Sequence, residues 1–185
     1  MNRGTQGILI AAALAAGLPA VASADERTCR GTIGDRTLDN VRVPDGATCT
    51  LNGTKVQGTI KVESDARLIA IGVRVVGNVQ GENAARVTVR GGSRVGGSVQ
   101  VKQGGGALVA RSQVTGDVQY DANDRRVRIV RSRVNGNVQI VGNRGGVHVR
   151  GNTIDENLQC KENQPAPTGG GNRVGNNKED QCAHL

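Results

Sequence analysis

The chain has 185 residues, 28 of them glycine, a formal net charge of +8 at pH 7, and Tyr120 as its only aromatic residue. A core without Phe or Trp must be assembled from Val, Ile, Leu and Ala, which argues against a globular domain built around large aromatic side chains. The excess of Lys and Arg indicates anionic surroundings. Low hydrophobicity with high charge is also typical of disorder, but the regular Val spacing described below argues against it.

The first predicted element is a secretory signal peptide over residues 1–24. Arg3 supplies a positive start, "ILIAAALAAGL" is a short apolar run, and "ASA" at 22–24 fits a cleavage site. The apolar run is too short for a membrane span, and no later stretch reaches about 18 apolar residues, so no transmembrane segment is expected. Cleavage after Ala24 would leave residues 25–185 as one exported domain, either secreted or periplasmic.

A short phrase recurs through this domain, as in "VVGNVQ" at 75–80, "VTGDVQ" at 114–119 and "VNGNVQ" at 134–139. Its first apolar residues are 19 or 20 positions apart: Val56, Val75, Val95, Val114, Val134, Ile154 and Val174. Two further apolar columns follow: Ile60, Val79, Val99, Val118, Val138 and Leu158, then Val62, Val101, Tyr120, Ile140 and Cys160, with Gly81 as the exception. A fixed period near 20 is typical of a repeat architecture.

The second half of each repeat alternates apolar and polar residues, as in "VTVR" at 87–90, "VRIV" at 127–130 and "VHVR" at 147–150. This alternation indicates strands with one buried face, and Gly, Asn and Asp cluster between them. Without crossover helices, identical phrases can stack only by coiling. The sequence therefore predicts an all-β, single-stranded, right-handed parallel β-helix of about eight coils with about 20 residues each. A left-handed β-helix is the alternative, although it should show three equivalent phrases per coil.

The four cysteines are interpreted as staples at the two ends of the solenoid. Cys29 and Cys49 are 20 residues apart, one repeat, and Cys160 and Cys182 are 22 apart, one repeat with a small insertion. Stacked Cα atoms about 5 Å apart are within disulfide range, whereas other pairings would bridge several coils. We therefore predict the disulfides Cys29–Cys49 and Cys160–Cys182. No metal site is expected, because there is no C-x-x-C pair and His is scarce.

No catalytic residue or cofactor site is expected from the sequence. Asp117 replaces the turn Asn of the repeat, which favours corner capping, and Asp121 and Asp124 lie in a charged loop. His148 lacks a plausible partner, and no carboxylate column pairs with Asp155. These patterns favour a protein that is not an enzyme, while a polysaccharide-active lyase or hydrolase remains the alternative class.

A basic column is the strongest surface signal. Five of the seven residues that precede the first apolar column are basic: Lys55, Arg74, Arg94, Arg133 and Arg173, with Gln113 and Thr153 completing the set. Stacked like charges repel unless anions bind, so the column could contact an anionic polymer such as an acidic glycan or the cell surface. Alternatively it keeps the rod soluble and blocks sideways pairing. Nucleic acid is not expected as a partner, because stacking aromatics are missing.

A second polar column begins at Lys61 and continues through Gln80, Gln100, Gln119, Gln139 and Gln159. Its glutamines are interpreted as a hydrogen-bonded amide ladder or as a polar strip for a ligand. The V-x-G-[NSD]-V-Q phrase, repeated over residues 56–160, resembles that of bactofilins, bacterial β-helix proteins that polymerise end to end into scaffolds. The flanks, 29–54 and 157–182, resemble those of secreted bacterial β-solenoid proteins, a resemblance that implies no activity. We expect an exported structural or binding module, monomeric because its ends are stapled, with an end-to-end scaffold as a further alternative.

Overall fold

A computed structural model describes residues 25–185, and the predicted signal peptide lies outside these described residues. Every regular element between residues 25 and 185 is a β-strand, and the 25 strands form three parallel sheets. Short strands of two to five residues are the expected result of a Val-rich chain that turns at Gly and Asn every few residues.

Each sheet takes every third strand of the chain. Sheet A contains β1 (Glu26–Thr28), β4 (Asn40–Val43), β7 (Ile60–Val62), β10 (Val79–Glu82), β13 (Val99–Lys102), β16 (Val118–Asp121), β19 (Val138–Val141), β22 (Leu158–Lys161) and β25 (Lys178–Asp180). Sheet B contains β2 (Thr32–Ile33), β5 (Thr48–Asn52), β8 (Arg67–Ile71), β11 (Arg86–Arg90), β14 (Gly106–Ala110), β17 (Val127–Val130), β20 (Val147–Arg150) and β23 (Thr168–Gly170). Sheet C contains β3 (Thr37–Leu38), β6 (Lys55–Val56), β9 (Arg74–Val75), β12 (Arg94–Val95), β15 (Gln113–Val114), β18 (Arg133–Val134), β21 (Thr153–Ile154) and β24 (Arg173–Val174).

One coil is one passage of the chain through sheets A, B and C. Consecutive strands of a sheet pair in parallel, and sheets B and C contain eight strands each, so seven turns (8 − 1) separate their first and last strands. With about 20 residues per coil, this is the β-solenoid that the repeat predicts. The handedness of the coil stays a prediction. A solenoid of this kind buries one continuous core along its axis, since each coil contacts only its neighbours.

The predicted apolar columns form the core. Val75 pairs with Val95 in sheet C, and Val79 pairs with Val99 in sheet A, in the register that the sequence predicts. Gly81 interrupts the third column, but a Cβ at that position would lie 2.8 Å from a methyl carbon of Val87, so Val87 fills the space. The columns therefore pack without aromatic residues other than Tyr120, which is fully buried.

A ladder of side-chain hydrogen bonds runs along the corner between sheets C and A. At this corner the side chain of one coil accepts a hydrogen bond from the backbone N–H of the next, as Asp117 Oδ1 does from Asn137 N at 2.7 Å. The same contact recurs along the rod at Asn78, Ser98 and Asn157. Asp117 thus has the corner-capping role that its place in the repeat predicts.

Two further ladders are buried and were not anticipated from the sequence. Between sheets A and B, the Asn143 side chain accepts from Asn123 Nδ2 and donates to Asn163 Oδ1, both at 2.9 Å. Between sheets B and C, Asn152 donates to Asn172 Oδ1 at 2.9 Å. Buried amides satisfied by one another hold consecutive coils in register, because a shift would leave them unpaired.

Disulfides join the coils at both ends of the rod. The Cα atoms of Cys29 and Cys49 are 5.5 Å apart, and those of Cys160 and Cys182 are 5.2 Å apart. This is the predicted pairing, but the predicted insertion is wrong: Cys160 is in register with Asp180, and Cys182 lies two residues later, in the turn after β25. Because a terminal coil has a neighbour on one side only, a covalent link there opposes fraying.

Candidate anion-binding site on the basic column

The basic column lies on the outer face of sheet C. Lys55 pairs with Arg74 and Arg74 with Arg94, and the register continues through Gln113, Arg133, Thr153 and Arg173. The following residue is buried in six of these seven strands and half-buried at Val174, so the basic residue points away from the core, because side chains alternate along a strand. The five basic residues are all exposed. The structure thus places them in one line, as the sequence predicts.

Charge is distributed unevenly along this line. The Arg133 guanidinium forms a salt bridge with Asp155, with Nη2 2.7 Å from Oδ2. Among the described residues, Lys55, Arg74 and Arg94 form no salt bridge. Arg173, at the far end of the line, forms none within the described range either. The longest uninterrupted run of uncompensated charge therefore lies on three consecutive coils in the N-terminal half of the rod. Like charges one strand spacing apart, about 4.8 Å, repel one another, and a bound polyanion would remove that repulsion.

The Gln column in sheet A is an amide ladder from Gln80 to Gln139, whereas Gln159 donates to Glu179 Oε2 at 3.2 Å. Gln80 donates to Gln100 at 3.1 Å, Gln100 donates to Gln119 at 3.0 Å, and Gln119 donates to Gln139 at 3.5 Å. Each amide oxygen in the interior of the ladder is occupied by the neighbouring coil. This supports the structural interpretation of the column over the interpretation as a ligand-binding strip.

The arginines that flank the column occupy a corner and a neighbouring sheet. Arg111 and Arg131 form the corner between sheets B and C, with φ of 49° and 50°, whereas Arg150 ends β20. Glycines 53, 72 and 151 take the corresponding left-handed conformation in other coils. The backbone at these two arginines is therefore in a region that L-residues adopt at a cost.

His148 has a partner that the sequence did not reveal. Its Nδ1 lies 3.1 Å from Thr168 Oγ1, the residue stacked on it in β23. Partial removal from water lowers the pKa of His148, and the positive charges of Arg128, Arg150 and Arg126 lower it further. Both effects favour the neutral ring over the protonated one.

The described part of the chain contains no group of three or more His, Cys, Asp or Glu side chains placed to hold a metal ion. Asp117 is engaged with the backbone of the next coil, and Asp155 with Arg133. Nor does any helix between residues 25 and 185 have the length and apolar character needed to cross a bilayer.

Fold and site together define a disulfide-stapled parallel β-solenoid with a basic outer edge. Comparisons with protein-family models, with curated proteins and with solved structures found no match. Function must therefore be argued from the charges and contacts of this chain.

Proposed function

We propose that the protein is an exported, non-enzymatic β-solenoid that binds anionic polymers, such as acidic glycans or the cell surface, through its basic column. The observation that carries this proposal is the exposed stacking of Lys55, Arg74 and Arg94 without acidic partners among the described residues. A polymer lying along the rod axis would meet a positive charge at each of these three coils. The same polymer would screen their mutual repulsion.

Two features support export. Disulfides persist mainly in oxidising compartments outside the cytoplasm, and both cysteine pairs of this chain are oxidised. The N-terminal sequence is that of a signal peptide. The basic column also suits an envelope or extracellular setting, where anionic polysaccharides are abundant ligands. The stapled ends favour a monomer, which sedimentation at increasing protein concentration would test.

Binding to a soluble acidic polysaccharide at several salt concentrations tests the proposal. The column variant Lys55→Gln/Arg74→Gln/Arg94→Gln should bind at least about tenfold more weakly than the unmodified protein, since three charge-assisted contacts are lost. Its matched control removes the same charge from exposed residues of sheet A and its flank: Lys102→Gln/Arg144→Gln/Lys161→Gln.

Equal weakening in both triple variants would mean that net charge, rather than the column, governs binding. If the unmodified protein binds no acidic polysaccharide at low salt, the proposed function is wrong. Incubation with pectin, alginate and hyaluronan followed by an assay for new reducing ends or unsaturated uronates addresses the enzyme alternative, and product formation would overturn the non-enzymatic part of the proposal.

A further inference from the structure

A second cationic surface lies on the outer face of sheet B. Arg128 in β17 and His148 in β20 are neighbours in register and point outward, between residues that are buried. Shallow cavities of about 430 Å³ and 390 Å³ lie on either side of these two side chains and share them as walls. This surface is on a different sheet from the basic column.

The larger cavity combines arginines with apolar side chains: Arg111, Arg128, Arg131 and Arg150 surround Leu108 and Val130. The smaller one adds Arg126 and is closed by Pro165, Ala166 and Thr168. Pro165 lies in the loop between β22 and β23, so this loop forms a wall of the smaller cavity. The two cavities together bring five guanidinium groups to one face.

These guanidinium groups lack acidic neighbours. No Asp or Glu lines either cavity, and none of the five arginines forms a salt bridge with another described residue. Burial, and after it the charges of Arg128, Arg150 and Arg126, lowers the pKa of His148, in keeping with a positive field at this face. An uncompensated cluster of this kind is an anion-binding surface.

Two arginines of the larger cavity occupy strained backbone positions. Arg111 and Arg131 line the larger cavity from left-handed backbone positions, with φ of 49° and 50°. An L-residue in this region costs about 1 kcal/mol relative to glycine, which other coils use at the same corner. Two consecutive coils thus carry a guanidinium at the edge of the cavity despite this cost.

The mixture of side chains indicates the class of ligand. Guanidinium groups bind planar carboxylates and tetrahedral sulfates through paired hydrogen bonds. Leu108 and Val130 provide an apolar surface for the C–H face of a sugar ring, and His148, held by Thr168, offers a neutral ring for a further hydrogen bond. No aromatic side chain lines either cavity, so base stacking, the usual basis of single-stranded nucleic-acid binding, is not provided here.

We infer that the outer face of sheet B around Arg128 and His148 is a binding site for an acidic oligosaccharide, with the carboxylate or sulfate groups held by Arg128, Arg131 and Arg150. This inference rests on the proposed function, because it assigns a defined saccharide site to a protein whose basic column contacts the polymer along the rod. The column supplies charge along the axis, whereas the cavities supply shape and an apolar contact for individual sugar units.

The experiment compares two triple variants with equal loss of charge. The cavity variant is Arg128→Gln/Arg131→Gln/Arg150→Gln, and the column variant is Lys55→Gln/Arg74→Gln/Arg94→Gln. Of two short probes, an oligogalacturonate carries carboxylates only and a heparin-derived oligosaccharide carries sulfates as well as carboxylates, so their comparison by calorimetry shows whether carboxylates suffice for binding or sulfates are required. We expect the cavity variant to lose at least about tenfold in affinity for one or both probes, and the column variant to change by less than about threefold.

Nuclear magnetic resonance gives a second readout that does not depend on mutation. The sequence contains two histidines, His148 and His184. A bound oligosaccharide should shift the ring resonances of His148 and leave those of His184 in place. Circular dichroism and thermal unfolding of each variant confirm that the solenoid is folded before binding is compared.

The possible failures can be told apart. If the cavity variant binds both oligosaccharides like the unmodified protein, or if His148 does not respond to them, the inference is wrong while polymer binding through the column can still stand. Equal losses in both variants would show that charge alone governs binding and would also overturn the inference. If the unmodified protein binds neither long polymer nor short probe, the proposed function fails and the inference fails with it.

Discussion

The Arg133 guanidinium donates to both carboxylate oxygens of Asp155, with Nη2 3.0 Å from Oδ1 and 2.7 Å from Oδ2. The two residues are 22 positions apart and belong to consecutive coils. This pair neutralises one member of the basic column, whereas Lys55, Arg74 and Arg94 have no such partner within residues 25–185. The column therefore has an uncompensated run over Lys55, Arg74 and Arg94 and one neutralised member, Arg133.

Removal of the Asp155 charge should extend the charged segment. In an Asp155→Asn variant the Arg133 guanidinium becomes available to a polyanion, so we expect tighter binding of acidic polysaccharide and a steeper loss of affinity with salt. The free energy of unfolding should change by less than about 1 kcal/mol, because both side chains are partly exposed. Affinity measured across a salt series checks the expectation.

Glu82→Gln is the matched control for this variant, since Glu82 is an exposed carboxylate of sheet A. If Glu82→Gln strengthens binding as much as Asp155→Asn does, the effect reflects overall charge and Arg133 has no special part in it.

The fold could be predicted from the sequence because a solenoid repeats its environment every coil. Val75, Val95 and Val114 occupy the same place in consecutive coils, so the period alone sets the strand register. The division of each coil among three sheets was harder to predict from the sequence. The strands of sheet C are two residues long, which is too short for an alternation pattern to appear in the sequence.

The candidate site could be predicted only in part. The line of basic residues follows from the period, but the Arg133–Asp155 pair joins different positions of the repeat, so no column reveals it. The buried Asn ladder between sheets A and B could have been predicted, since Asn123, Asn143 and Asn163 recur at 20-residue steps. The arginine cavities on sheet B combine side chains from several columns with the loop between β22 and β23, so no single column reveals them.

Close approach of coils at the corner between sheets C and A requires glycine for its size. A Cβ on Gly116 would lie 2.5 Å from Ser98 Oγ and 2.9 Å from the carbonyl carbon of Gly97. We expect Gly116→Ala to lower the free energy of unfolding by about 1–3 kcal/mol, the usual cost of overpacking. Denaturant unfolding checks this, with Gly31→Ala as the control because nothing lies within 4 Å of its added methyl group. Equal stability of the two variants would contradict the steric argument.

The hydroxyl of Tyr120 is buried and has no hydrogen-bond partner among the described residues. Tyr120→Phe should therefore be neutral or raise the free energy of unfolding by about 1 kcal/mol, because an unsatisfied polar group is removed. Burial raises the pKa of Tyr120, so the unfolded chain releases this proton at lower pH than the folded protein does. The free energy of unfolding should therefore fall as pH rises above about 10, the usual pKa of tyrosine.

Alkaline unfolding followed by tyrosine absorbance reports this group alone, since the chain has one tyrosine. Absorbance should rise only as the protein unfolds, and Tyr120→Phe, followed by circular dichroism, should unfold at higher pH. Ionisation of Tyr120 before loss of the β-sheet signal would show that the ring is accessible to solvent.

Partial burial, and after it the charges of Arg128, Arg150 and Arg126, lower the pKa of His148. The unfolded chain then takes up the proton at higher pH than the folded protein does. The free energy of unfolding should therefore fall as pH drops through the usual histidine value of about 6.5 towards the lowered one. Titration of the ring protons by nuclear magnetic resonance should give a higher pKa in Arg128→Gln than in the unmodified protein. An unchanged value would show that Arg128 does not act on His148.

The buried amide ladder makes the strongest stability prediction. Asn143 Nδ2 donates to the Tyr120 carbonyl at 3.0 Å, and its Oδ1 accepts from Asn123 N at 3.0 Å. Asn143→Ala leaves these buried groups without partners, so we expect the free energy of unfolding to fall by about 3 kcal/mol or more. Asn143→Asp keeps the acceptor but removes the donors, so it should also destabilise.

A matched control for Asn143 is Asn176→Ala, because Asn176 is exposed and its side chain forms no hydrogen bond with the described residues. In Asn143→Asp, burial of the introduced carboxylate should raise its pKa, and protonation restores one hydrogen-bond donor. The free energy of unfolding of this variant should therefore recover in part, relative to the unmodified protein, as pH falls. Denaturant unfolding at pH 4 and pH 7 measures both effects. A cost for Asn143→Ala no larger than for Asn176→Ala would mean that packing of the apolar columns, rather than the amide ladder, holds the coils in register.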